Sequence, residues 1–221
     1  IVPGNYGLVP QSYLLKLKDG NWIDIAPPSL GKIGMVTDAV WADADADGDK
    51  DLVVVGDWMS VHIFRNEKGV LESPFIIPES EGWWTRVQAA DLDNDGDTDF
   101  ILGNWGLNTK FRASADKPLT MYVSDFDNNG KSEFILNWYP PLDEKSYPFV
   151  QRHELFAQLP VLQKTIPTFR DYGNMTYDSL FRADARGKAI PYEANHLESA
   201  ILWNDAGKYK LAALPLEAQV S

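Results

Sequence analysis

The sequence predicts an all-β fold with a small helical insertion, and three observations carry that prediction. Short apolar or alternating runs, separated by Asp/Asn/Gly-rich turns, recur through residues 12–140 and again through 195–221. One unit, made of an apolar run, an Asp-rich loop, a second apolar run and a tryptophan, occurs three times in phase. Helical apolar spacing is confined to residues 150–183.

In chain order, an outer pair of strands is expected at 12–17 and 22–25. The three repeats follow. Ala39-Val40-Trp41, Val87-Gln88-Ala89 and Met121-Tyr122-Val123 precede the loops, and Leu52–Val55, Phe100–Leu102 and Phe134–Leu136 follow them. Each unit then reaches a tryptophan, at Trp58, Trp105 and Trp138. Between the first two repeats, Val61-His62-Ile63-Phe64 supplies an outer strand, and a turn through Asn66 and Gly69 follows it. The tail repeats that part of the unit, with Ala200–Trp203, the turn Asn204-Asp205-Ala206-Gly207 and a resumption at Lys208–Leu211. In the insertion, Leu155, Phe156, Leu159 and Leu162 share a helical face. Pro160 suits the first turn of a second short helix, and Thr176 is an N-cap for a turn through Tyr177–Phe181. One segment spanning 1–221 is therefore expected, with the insertion at 150–183. Its first residues, Ile1-Val2-Pro3-Gly4-Asn5, read as a mature or excised terminus, and both ends as cut from a longer array.

Composition excludes several classes of function. With no cysteine there is no disulfide, thiolate zinc site or cysteine nucleophile. No apolar run approaches the roughly 20 residues of a spanning helix. The net charge of −12 is local: segments 43–51, 91–99 and 125–133 hold 13 of the 32 acidic residues and only Lys50 and Lys131 of the 20 basic ones. The remaining surface is close to neutral and carries no basic stripe, so nucleic acid is not an expected partner.

The three loops align without gaps. They are Asp43-Ala-Asp45-Ala-Asp47-Gly-Asp49-Lys-Asp51, Asp91-Leu-Asp93-Asn-Asp95-Gly-Asp97-Thr-Asp99 and Asp125-Phe-Asp127-Asn-Asn129-Gly-Lys131-Ser-Glu133. An acidic residue at alternate positions turns several carboxylates inward, and glycine at position six permits the bend that gathers them. Such crowding repels itself without a cation and favours a hard divalent one. Calcium, which takes six to eight oxygens at roughly 2.3–2.6 Å, is the expected ion. The helix–loop–helix calcium site needs a glutamate at position twelve, where this chain has Val54, Leu102 and Leu136, so that architecture is excluded. Side chains at positions one, three, five and nine, with the main-chain carbonyl of position seven (Asp49, Asp97, Lys131), form the expected ligand set. Asn129 and Lys131 make the third site the weakest of three.

On these loops the chain resembles the FG-GAP/VCBS repeat proteins, including the integrin α-subunit propeller and cartilage acidic protein. The strings Gly56-Asp57-Trp58-Met59, Gly82-Trp83-Trp84 and Gly103-Asn104-Trp105-Gly106-Leu107-Asn108 look like bacterial exported VCBS-repeat proteins of the ASPIC/UnbV type. The resemblance covers about 12–140 well and 195–221 more loosely. It implies β-propeller blades, with each calcium loop joining the first two strands of a blade. Three loops plus partial sheets imply a partial or open propeller of about 3–4 blades.

Eight tryptophans and nine tyrosines also invite a carbohydrate-binding reading, best placed at Trp83-Trp84 and Trp138-Tyr139-Pro140-Pro141, while Trp58 and Trp105, in register, read as packing between sheets. The histidines His62, His153 and His196 have no local partner for a triad or a transition-metal site. The expectation is a non-catalytic, exported, calcium-binding segment that contacts an extracellular protein or glycan. The alternative is a carbohydrate-active enzyme whose catalytic residues lie outside the loops.

Overall fold

The computed structural model describes residues 10–141 and 143–219. They fall into two compact units: 10–110 with 195–219, and 111–194.

In the first unit, β1 (Leu15–Lys18) and β2 (Asn21–Asp24) form a hairpin. A single turn, α1 (Pro28–Gly31), leads to β3 (Met35–Ala42), β4 (Asp51–Met59), β5 (His62–Phe64), β6 (Asn66–Glu67), β7 (Val70–Leu71), β8 (Phe75–Ile76), β9 (Gly82–Trp83), β10 (Arg86–Ala90) and β11 (Asp99–Gly103). The second unit contributes β12 (Leu119–Ser124), β13 (Glu133–Trp138), β14 (Tyr147–Pro148), α2 (Arg152–Gln158), α3 (Phe169–Gly173), α4 (Tyr177–Leu180), α5 (Ala183–Arg186) and β15 (Ile190–Ala194). The chain then returns to the first unit with β16 (Ala200–Asp205) and β17 (Lys208–Ala213). The protein is mostly β, as expected.

Three sheets matter for the site, in the orders β3-β4-β5-β8, β10-β11-β16-β17 and β14-β13-β12-β15, all with antiparallel neighbours. In each, the acidic loop joins a hairpin and its position-nine acid opens the second strand. Ala42 pairs with Asp51, Ala90 with Asp99, and Ser124 with Glu133. The tail strands complete the second sheet as its outer pair, so β11 and β16 are neighbours although 111–194 separates them in sequence.

Why β4 lies inside follows from its composition. Leu52-Val53-Val54-Val55 is apolar on both faces, and alternation sends Val53 and Val55 to one cluster, Leu52 and Val54 to another. The first cluster gathers Ile63, Trp84, Phe100, Leu102 and Leu202, which joins the sheets of β4, β11 and β16 through one core. Ile101, pointing the other way, is 37% exposed.

The core of the second unit packs Phe126 and Ile135 with Leu155, Phe156, Leu159, Leu162, Ile166, Tyr177, Leu180 and Phe181, so the helical face read from the sequence is buried. Pro160 opens a 3-10 turn, Pro160–Lys164, rather than an α-helix. Thr176 sits extended before α4, but its hydroxyl meets Ser179 Oγ and caps no backbone N–H. The capping box of Thr168 and Asp171 starts α3.

Candidate metal sites

The three loops fold on one hydrogen-bond frame. The position-two N–H donates to the position-nine acid: Ala44 to Asp51 Oδ2 at 2.8 Å, Leu92 to Asp99 Oδ2 at 3.0 Å, and Phe126 to Glu133 Oε2 at 3.0 Å. The position-six glycine N–H donates to the position-one acid: Gly48 to Asp43 at 3.0 Å, Gly96 to Asp91 at 3.2 Å, and Gly130 to Asp125 at 2.8 Å. The position-seven N–H donates to position five, from Asp49 to Asp47, Asp97 to Asp95 and Lys131 to Asn129, at 2.8 to 2.9 Å.

Two backbone positions in each loop make this frame possible. Position six lies at φ 94°, 99° and 85° in Gly48, Gly96 and Gly130. Position four is also left-handed, at φ 62° in Ala46, 63° in Asn94 and 58° in Asn128. Asparagine enters that region at lower cost than alanine, so the first loop carries the more strained bend. The pair of asparagines was the sequence signal for it.

The frame brings positions one, three and nine together. One carboxylate oxygen from each of Asp43, Asp45 and Asp51 lies within 4.8 Å of the others; the same holds for Asp91, Asp93 and Asp99, and for Asp125, Asp127 and Glu133. Positions five and seven stand outside these triads. Asp47, Asp95 and Asn129 accept from the turn, and the side chains of Asp49 and Asp97 accept from Lys68 N and Ala206 N. Among the described residues, no other group of three or more acidic or imidazole side chains closes in this way.

The donor set fits a hard cation. Asp43 Oδ1 and Asp45 Oδ1 are buried without a hydrogen-bond partner, an arrangement that is costly unless a positive charge meets them. Asp51 and Glu133 are pushed up from their ordinary carboxylate values by burial first, then by neighbouring loop carboxylates, against backbone hydrogen bonds that pull the other way. In the cation-free fold these two groups therefore hold a proton more readily than they do in the unfolded chain. Their contribution to stability is present below the unfolded values and is lost as pH rises through the raised folded ones. One partner was not legible in the loop itself: Arg65 Nε lies 3.4 Å from Asp45 Oδ2 and puts a positive charge beside the first site.

At the other end of these strands, Trp58, Trp83 and Trp105 form a stack. Ring centroids are 4.7 Å apart for Trp58–Trp83 and 4.4 Å for Trp83–Trp105. Trp58 sits on a register break between β4 and β9 with φ 58°, an outlier for a bulky residue, and its buried Nε1 has no partner. The Asp57 carboxyl is raised by burial, partly offset by a hydrogen bond from Trp83, and Trp105 remains 39% exposed. Trp84 is instead fully buried, its Nε1 donating to Ser80 O at 2.9 Å. Trp138 packs edge-on against Phe111 and Phe149. Among the histidines, burial lowers the pKa of His62, whose Nδ1 meets Ser60 O, and His196 Nε2 meets Glu79 O; both serve the fold.

No curated protein and no solved structure matches the chain. The family model for the FG-GAP-like repeat matches residues 43–102, which run from the first acidic loop through the second to Leu102. Residues 43–102 are thus similar to the FG-GAP-like repeat, with an acidic loop at the start of the matched stretch and a second one near its end.

Proposed function

We propose that this chain is a calcium-binding, FG-GAP/VCBS-type β-propeller segment of an exported protein, non-catalytic, which contacts an extracellular protein or glycan. The single observation that carries the metal reading is one hydrogen-bond frame built three times, each time closing a carboxylate triad. A bound Ca²⁺ supplies the positive charge that the crowded carboxylates lack, and it stabilises the fold because only the folded loops gather them. The sheets that carry the first two of these loops, β3-β4-β5-β8 with β9 beside β4 and β10-β11-β16-β17, are read as blades. Extracellular calcium modules work with dissociation constants of about 10⁻⁴–10⁻³ M, which agrees with an exported setting.

Thermal melting tests the metal reading. Calcium at ~100 times its Kd should stabilise the protein by about 2.7 kcal/mol per site, and chelator should abolish the shift. Asp43→Ala and Asp91→Ala should each remove part of it, and Asp125→Ala the smallest part. An unchanged melting curve in millimolar calcium would refute the reading.

The tryptophan stack supports the contact with a glycan. A half-exposed indole backed by two others offers a flat apolar face, and the strained Trp58 shows that the fold holds it against a local cost. Titration of neutral oligosaccharides against intrinsic fluorescence should show saturable binding that Trp105→Ala weakens about tenfold, a loss of about 1.4 kcal/mol. The calcium-dependent melting shift of that variant should stay intact. Binding that is indifferent to Trp105→Ala would remove the stack from the site.

A further inference from the structure

We propose that the first two cation loops are thermodynamically coupled, with Asn204 as the positioning residue that links them. This rests on the calcium reading above and adds to it a route between sites.

Asn204 lies in β16, 4% exposed, and its backbone N–H and both side-chain polar atoms are engaged with the loops or its own turn. Its backbone N–H donates to Asp99 Oδ1 at 2.9 Å. Its Nδ2 donates to Thr98 O at 3.2 Å and to Ala44 O at 3.0 Å. Its Oδ1 accepts from Gly207 N at 2.9 Å, which closes the turn onto the second loop. Ala44 belongs to the first loop, and its N–H holds Asp51 Oδ2 at 2.8 Å. A continuous path therefore runs from Asp51 to the N–H of Ala44, across that residue to its C=O, to the Asn204 amide and backbone, and to Asp99. Tyr209 Oη adds a second donor to Ala44 O at 2.8 Å. Both ends of the path are buried acids of a carboxylate triad.

Asn66 provides the internal comparison. It serves the first loop as Asn204 serves the second: its N–H donates to Asp51 Oδ1 at 2.8 Å, its Nδ2 to Lys50 O at 2.9 Å, and its Oδ1 accepts from Gly69 N at 2.9 Å. Lys50 and Thr98 both hold position eight. Asn204 differs by the extra bond to Ala44 O, the one that crosses to the other loop. Occupancy of one loop fixes its position-nine acid, and through the path it removes ordering cost from the other; linkage makes the effect reciprocal.

Calcium chloride titrated into the calcium-free full chain by calorimetry tests this, in an Asp125→Ala background that leaves two loops. Disabling the second loop with Asp91→Ala should weaken binding at the first about fivefold or more, and Asp43→Ala should weaken the second by the same factor. Asn204→Ala should bring that factor toward one, and Tyr209→Phe should reduce it in a milder change should Asn204→Ala fold poorly. Asn66→Ala should leave it in place. Two loops that bind with the same affinity whether or not the other is disabled, or a factor that survives both Asn204→Ala and Tyr209→Phe, overturn the coupling alone. No heat of calcium binding at either loop overturns the calcium reading and the coupling with it.

Discussion

Asp99→Ala will destabilise the first unit by about 3–5 kcal/mol even in chelator, read as a lower midpoint in equilibrium urea unfolding. Asp99 is 0% exposed, and its two oxygens accept from Leu92 N at 3.0 Å and Asn204 N at 2.9 Å. Each is a bond to a charged acceptor, with a net worth of about 1.5–3 kcal/mol, and both donors lose their partner in the variant. The second of them ties β16 to the head of β11, a junction between strands that residues 111–194 separate in sequence. Asp91→Ala is the proper control, because it removes another member of the same triad from an exposed position and should change the chelated protein by about 1 kcal/mol or less. In calcium both variants should lose the stabilisation due to the second site. Comparable midpoints for Asp99→Ala and Asp91→Ala in chelator would mean that Asp99 has no part in the frame beyond its charge.

The loops were legible because their chemistry is local. Alternate acids and a glycine at position six fall within nine residues, and the frame they imply needs no distant partner except at position nine. The strands beside them were legible for the same reason, as short apolar or β-like runs that abut the loops. What the sequence hid is what depends on the return of the chain. The turn Asn204–Gly207 looked like the turn at Asn66 and Gly69, yet only the sheet order shows that each braces its own acidic loop. The link from Asn204 to Ala44 joins residues 160 apart, and no local pattern marks it. Arg65 beside Asp45 was equally silent, since it follows β5 and reaches the loop only once β5 pairs with β4. The tryptophans show the opposite failure. Trp83 and Trp84 are adjacent and read as one patch, but at the end of β9 they part: Trp83 enters a partly exposed stack and Trp84, just past the strand, the core.

That division gives Trp84 an expected effect as large as that of Asp99: Trp84→Ala should cost about 3–5 kcal/mol, measured by urea unfolding followed by circular dichroism. The indole is 0% exposed and lies in the cluster of Val53, Val55, Phe100, Leu102 and Leu202, which serves the two larger sheets of the first unit. The backbone around it is held by hydrogen bonds on several sides. β4 is held by β3 on one side and β5 on the other, and Trp84 O and N are themselves pinned, by Thr37 Oγ1 at 2.7 Å and Gly56 O at 3.3 Å. Trp84→Phe should recover most of the loss, and its remaining deficit of about 1 kcal/mol would report the bond from Nε1 to buried Ser80 O. The space is shaped from the other side too, because a Cβ on Gly82 would stand 2.5 Å from the indole. Gly82→Ala should therefore destabilise the wild-type core, and the same change placed on Trp84→Ala should cost less, since the ring it would strike is gone. Additive losses in that double variant would show that the Gly82 backbone, rather than the ring, sets the fit.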